Sequence, residues 1–175
     1  MPVPLTRRAL IQISAGAALA GAAAPPEWSA EPEPKFFSRE QFAVVDILTE
    51  LIIPADGHSS GARAARVAEY LDARLAEAFE NDLKAKWRVG LHRVETISRE
   101  MHGLSFAEAT PEQQVALLTR ISKNEDHPQA PEEHFFQLLK SSTAHAYYTS
   151  KIGLHQELAY KGNVLLQEFV GYELK

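Results

Sequence analysis

The stretch that decides the fold is DLKAKWRVGLHRVETISREMH, residues 82–102, the longest periodic segment of the chain. Its apolar residues recur at steps of three and four, which is the spacing of one face of an α-helix. They are Leu83, Trp87, Leu91, Val94, Ile97 and Met101. Gly103 follows directly, and glycine ends helices because it adopts a left-handed backbone without strain. The segment therefore predicts a long amphipathic helix packed against a core.

Four further segments carry helical patterns. They are residues 38–54, 67–79, 110–121 and 131–143. Ser38 and Gln41, like Thr110 and Gln113, have the spacing of a capping box, which marks a helix start. The second segment is expected to carry Phe79, and the third is expected to turn Val115 inward. No segment alternates apolar and polar residues as a strand does, so we predict an all-α, single-domain bundle of about five main helices.

The chain begins with the pattern of an export signal. Arg7 and Arg8 precede a weakly apolar run, residues 11–24, which is too short and too rich in alanine for a membrane-spanning helix. The paired arginines favour the twin-arginine pathway, which exports folded cargo, and a general secretory signal is the alternative. We therefore predict a signal peptide over residues 1–24, a Pro/Glu-rich tether over residues 25–36 and a helical domain over residues 37–175.

Composition excludes one class of partner. Without residues 1–24, which contain two arginines and no acid, the chain keeps 16 basic and 23 acidic residues, a net charge of −7. An acidic domain without a basic stripe is a poor match for nucleic acid. The chain has no cysteine, so it depends on its core rather than on disulfides in an oxidising compartment.

The search for catalytic motifs is negative. The sequence contains no dinucleotide-binding glycine motif, phosphate loop, nucleophile elbow or haem-attachment motif, and no two of its seven histidines are three or four residues apart. Acidic pairs are interpreted as solvated helix caps (Glu132, Glu133) or as the wet face of a helix (Glu69, Asp72). We predict no catalytic residue, cofactor or metal site in this chain.

The last third of the chain has a different composition. Residues 147–163, which we call the tyrosine segment, hold three of the five tyrosines together with two glycines. Tyrosine combines a large contact area with few rotors and a polar tip, which suits a protein interface. We predict an irregular C-terminal segment whose partner-binding residues are Tyr147, Tyr148, Thr149, Gly153, Tyr160, Gly162 and Asn163. The alternative is that these rings cap the bundle and that their hydroxyls bind loop backbone.

Nearly the whole chain resembles the gluconate 2-dehydrogenase subunit 3 family, the small gamma subunits of periplasmic FAD-dependent sugar and sugar-acid dehydrogenases. The motifs that carry the resemblance are the Arg7-Arg8 leader, residues 51–56 (LIIPAD), Phe135-Phe136 with Leu139, residues 147–150 (YYTS) with Gly153, and residues 157–163 (ELAYKGN). The chain departs from the family pattern at Ala146 and Ala159, where such proteins often have glycine, and at Tyr172, where cysteine is common.

The resemblance implies a non-catalytic partner protein. In such complexes a large flavoprotein of the glucose-methanol-choline type binds FAD and oxidises the sugar, and a cytochrome c subunit with haem c, or another carrier, takes the electrons. The small subunit supports maturation in a chaperone-like way and carries the export signal to the periplasm, where the complex is free or lies at the inner-membrane face. The alternatives are a stand-alone periplasmic hydrolase that uses His145 or His155, and a helical ligand-binding protein.

Overall fold

The computed structural model describes residues 33–160 and Gly162. The predicted leader with Arg7 and Arg8, the tether up to residue 32, and Asn163 lie outside these residues. The chain divides into two units, Met1–Glu33 and Pro34–Lys175, and every element below belongs to the second.

The described residues form helices and no strand, as the periodicity predicts. The α-helices are α1 (Arg39–Ile52), α2 (Gly61–Ala64), α3 (Val67–Glu77), α4 (Asn81–His102), α5 (Pro111–Ser122) and α6 (Pro131–Tyr148), and a π-helical turn follows at Gly153–Glu157. The five long helices match the five predicted segments. Both predicted capping boxes are present, at Ser38 and at Thr110, and Gly103 ends α4 with a φ of 73°.

Helix α6 is the centre of the bundle, because it packs against α1, α3, α4 and α5. It is also longer than predicted: it continues past Thr143 to Tyr148, so the irregular segment begins only at Thr149. Thr143 does not interrupt it, since its hydroxyl donates to the Leu139 carbonyl 2.8 Å away and is thereby satisfied inside the core.

Aromatic rings join the helices in the core. The ring of Trp87 on α4 lies 5.7 Å from that of Phe37 and 5.6 Å, edge to face, from that of Phe135 on α6. Gly90 lets α4 and α6 approach closely, because a Cβ at that position would lie 1.9 Å from the Phe135 ring. These contacts fix the longest helix against the central one.

Two apolar side chains lie outside the positions predicted for them. Helix α3 ends at Glu77, and Phe79, in the link to α4, is 97% exposed. Val115 on α5 is 49% exposed, whereas Leu117 is fully buried. The periodic pattern of α5 is compatible with more than one phase, and packing against the neighbouring helices selects the face with Leu117 and Ile121.

Two acidic residues that the sequence analysis places in solvent are buried, and each binds backbone N–H groups just before a helix. The Asp72 carboxylate accepts hydrogen bonds from the backbone N–H groups of Lys35, Phe36 and Phe37 at 2.6, 2.9 and 3.0 Å. The last two residues of the predicted tether therefore belong to the folded unit. Glu133 does cap α6 as expected, but it is buried, because its carboxylate accepts from the N–H groups of Gln129 and Ala130.

Candidate functional site

The tyrosine segment packs against a loop far away in sequence. The Tyr147 hydroxyl shares a hydrogen bond with Ser59 Oγ, and Ser60 Oγ donates to Gln156 Oε1 at 3.0 Å. The partners are 88 and 96 residues apart. Ser59 and Ser60 belong to residues 54–60, which we call the Pro54 loop. The structure thus joins the end of the 51–56 motif to the segment that contains the 147–150 motif.

A carboxylate shapes the Pro54 loop from within. Asp56 Oδ1 accepts from the backbone N–H groups of His58 and Ser59 at 2.7 and 2.6 Å, and the Asp56 N–H donates to the Ser59 carbonyl. These donors lower the pKa of Asp56, the His58 N–H most of all, because they stabilise the carboxylate. Ser59 is therefore held in position to meet Tyr147.

A second carboxylate ties the loop to α1. Glu50 accepts from the N–H groups of Ala55 and Arg63 at 3.2 and 2.8 Å. Gly61 lies between them with a φ of 78°, and a Cβ there would lie 2.6 Å from the Ala55 nitrogen. Glycine is required at this position for both reasons. Arg63 extends the network through an ion pair with Asp46, its Nε 2.7 Å from Asp46 Oδ2.

The two adjacent tyrosines occupy different environments. Tyr147 is fully buried, and its ring lies 5.3 Å from that of Tyr148 in an edge-to-face contact. Tyr148 is 41% exposed. Tyr147 therefore follows the alternative expectation that a ring of this segment caps the bundle, although its hydroxyl bonds a side chain rather than loop backbone. Because Tyr147 is buried, its side chain is not on the surface and does not contact a partner.

Other residues of the tyrosine segment determine its backbone conformation. Gly153 is buried, and a Cβ on it would lie 2.1 Å from the Tyr147 carbonyl oxygen, so the turn after α6 needs glycine. Thr149 Oγ1 donates to the His145 carbonyl at 2.7 Å. Gly162 has a φ of 94°. These residues shape the segment, whereas the predicted contact residue Asn163 lies outside the described chain.

Three large apolar or aromatic side chains of the segment are exposed, next to charged and polar ones such as Lys151 and Glu157. Leu158 is 56% exposed and Tyr160 is 45% exposed, and with Tyr148 they form what we call the exposed apolar set. Ala159 lies between Leu158 and Tyr160 with a φ of 47°, in the left-handed region. Glycine adopts this conformation without strain, whereas the Cβ of alanine makes it unfavourable.

The two histidines of the hydrolase alternative lie on different elements. His145 belongs to the last turn of α6, with its ring 6.5 Å from that of Tyr70, and His155 is exposed on the π-helical turn. Within residues 33–160 and Gly162, no three His, Cys, Asp or Glu side chains form a group that could hold a metal ion. The same part of the chain has no helix long and apolar enough to cross a membrane.

Sequence reasoning found Asp56 and the tyrosines but missed Glu50, Ser59, Ser60 and Gln156. The spacing of Asp56 and Ser59 is a usable local signal, because aspartate often bonds backbone N–H groups two and three residues later. The contacts of Ser59 and Ser60 to the tyrosine segment have no such signal, since they join residues 88 and 96 positions apart.

Residues 39–164 match the family model described as gluconate 2-dehydrogenase subunit 3. No curated protein sequence and no solved structure matches the chain.

Proposed function

Because this chain belongs to the gluconate 2-dehydrogenase subunit 3 family, we propose that it is the non-catalytic small subunit of a periplasmic dehydrogenase. Its partner is a FAD-dependent flavoprotein of the glucose-methanol-choline type, which oxidises a sugar or a sugar acid. The observation that carries the proposal is the family match, which spans the six α-helices and the π-helical turn of the described residues. FAD belongs to the partner, and haem c or another carrier belongs to a third subunit.

The N-terminal pattern supports a role in export. Arg7 and Arg8 have the arrangement of a twin-arginine signal, whose pathway carries proteins that are already folded. A small folded subunit with such a signal can bind a leaderless flavoprotein in the cytoplasm and take it to the periplasm. Maturation and export of the catalytic subunit are then the two tasks of this chain.

The exposed apolar set supports a docking role for the tyrosine segment. Tyr148 at the end of α6, and Leu158 and Tyr160 after the π-helical turn, present apolar area to solvent. Aromatic side chains of this kind are enriched at protein interfaces. The Pro54 loop fixes this segment through Tyr147 and Gln156. A surface held in this way loses little conformational entropy when it binds a partner.

Export is tested by replacing Arg7 and Arg8 with lysine in cells that also express the flavoprotein. We expect both proteins to remain in the cytoplasm, with Arg120→Lys on α5 as the control that changes an arginine outside the leader. If the flavoprotein still reaches the periplasm with the altered leader, the shared-signal proposal is wrong.

The purified chain tests the proposal that FAD and the dehydrogenase activity belong to the flavoprotein. Expressed alone, it should show no flavin absorbance and no dehydrogenase activity, and addition of the flavoprotein should supply both. A flavin spectrum from this chain alone would contradict an accessory role.

A further inference from the structure

A cleft opens where helices α3, α4 and α6 meet. Helices α3 and α4 both pack against α6 but make few contacts with each other, so a gap is left between them. The gap is a cleft with a volume of about 240 Å³. One hydrogen bond joins α4 to the last turn of α3, from Lys84 Nζ to the Ala76 carbonyl at 3.2 Å. The bond helps to fix the separation of the two helices and thereby the width of the cleft.

The inner wall of the cleft is apolar. Leu71, Leu75 and Trp87 line it, and none of the three is more than 3% exposed. The rings of Phe37 and Phe135 lie 5.7 and 5.6 Å from the Trp87 ring and hold it in position. A wall of this kind binds the apolar body of a small molecule, and an aromatic ring gains a further contact with the indole.

The mouth of the cleft carries hydrogen-bond donors. Tyr70, Arg74 and His145 line it and are exposed. Arg74 Nη1 donates to the Tyr70 hydroxyl at 3.3 Å, which leaves the remaining guanidinium N–H groups and the hydroxyl proton of Tyr70 for an acceptor.

The charge at the mouth is one-sided. Although the chain has 23 acidic residues, none of them is among the described residues that line the cleft. Glu77, three residues after Arg74 on α3, lines a neighbouring depression instead. The ion pairs of the described residues do not include Arg74. The mouth therefore favours an anion, because a guanidinium binds a carboxylate through charge-assisted hydrogen bonds.

We propose that this cleft binds a small aromatic carboxylate, with its ring against Trp87 and its carboxylate beside Arg74. Size supports this class of ligand. A cavity of about 150 Å³ holds benzene, so a cleft of about 240 Å³ has room for a ring and a carboxylate. Sites for drug-sized ligands have about 300–1000 Å³, so the cleft is too small to enclose a nucleotide cofactor. The inference does not depend on the proposed function, because no partner protein takes part in it.

The test uses Trp87 as the reporter of its own site. The chain has two tryptophans, so Trp28→Phe leaves only Trp87. In this full-length variant, we expect benzoate to change the Trp87 fluorescence with a Kd of about 0.1–1 mM, the range for a ligand of roughly nine non-hydrogen atoms. Benzamide, a neutral analogue of the same shape, should bind about tenfold more weakly because it lacks the charge.

Three substitutions in this background locate the site. Arg74→Gln should weaken benzoate binding about tenfold and leave benzamide binding unchanged. Arg120→Gln, at an exposed position of α5 outside the cleft, is the matched control and should alter neither. Ser142 lines the cleft from α6, so Ser142→Leu should fill it and abolish the binding of both ligands. Circular dichroism verifies that the variants are folded.

A second measurement does not depend on fluorescence. Saturation-transfer NMR detects the benzoate protons that contact the protein, and their signal should disappear with Ser142→Leu. The absence of benzoate binding in both measurements would overturn the proposal. Equal effects of Arg74→Gln and Arg120→Gln, or equal affinities for benzoate and benzamide, would overturn it as well. Binding that survives Ser142→Leu in a folded chain would place the ligand outside this cleft and contradict the proposal.

Discussion

Tyr147 on α6 and Ser59 in the Pro54 loop share a buried hydrogen bond between their hydroxyls. The bond connects the central helix of the bundle to a loop 88 residues earlier. It also places the tyrosine segment beside the motif that ends α1. The position of the exposed apolar set therefore depends on a contact inside the core.

Removal of one hydroxyl from this pair should destabilise the subunit without affecting its surface. Tyr147→Phe leaves Ser59 Oγ buried without its tyrosine partner, and we expect the free energy of unfolding to fall by about 1–2 kcal/mol. Tyr148→Phe is the control and should change it by less than about 0.5 kcal/mol, because Tyr148 is partly exposed. Urea unfolding of the two variants measures both values, and equal effects would contradict the importance of the buried bond.

Ala159 and Ala146 should respond in opposite directions to replacement by glycine. Ala159 has a φ of 47°, so Ala159→Gly should relieve strain and raise the free energy of unfolding by up to about 1 kcal/mol. Ala146 is buried inside α6, so Ala146→Gly should lower it by about 1–2 kcal/mol through lost helix propensity and a lost methyl group. Thermal unfolding of the pair tests this, and a change of the same sign in both would refute the explanation.

Docking of the flavoprotein should depend on the exposed tyrosines. Tyr148→Ala and Tyr160→Ala should each weaken binding by about 2 kcal/mol, roughly 30-fold in Kd, with little change in melting temperature. Tyr147→Ala is the contrasting variant, because it should lower stability by about 3–5 kcal/mol. Calorimetric titration and thermal unfolding separate the two effects. Unchanged affinity in both exposed variants would remove the tyrosine segment from the interface.

The cap of α6 should make stability depend on pH. Hydrogen bonds from the N–H groups of Ala130 and then Gln129 lower the pKa of Glu133 from its usual 4.5, and Asn124 adds a third donor. A lowered pKa means that the contribution to stability is complete above pH 4.5 and is lost as the pH falls through the folded-state value. The melting temperature of the native chain should exceed that of Glu133→Gln at pH 7, and this difference should shrink below pH 4.5. A difference that is constant from pH 7 to pH 3 would contradict the capping role of the carboxylate.

Much of the fold was predictable because its signals are local. Capping boxes at Ser38 and Thr110, the glycine stop at Gly103 and the apolar periods each depend on residues within one or two turns. The same local signals predicted the wrong C-terminal residue for α3 and for α6, which end at Glu77 and Tyr148. The true end of α6 at Tyr148 depends on the close approach of Gly153 to the Tyr147 carbonyl, which a local pattern does not contain.

The candidate site was predictable in composition but not in arrangement. The density of tyrosine and glycine identified the segment, and Tyr148 and Tyr160 are indeed exposed. The same composition gave no means of separating Tyr147 from Tyr148, which are neighbours in sequence. Their difference comes from the direction in which each side chain leaves α6, towards Ser59 or towards solvent.

The sequence by itself determined the helical class, most helix starts and the family, because these depend on the order of residue types along the chain. The tertiary structure alone decided which polar groups are buried: Asp72 binds the N–H groups of residues 35–37, and Ser59 meets Tyr147. Burying such groups is costly unless they find partners, and those partners lie 35 to 88 residues away. Only the folded chain brings them within hydrogen-bond distance.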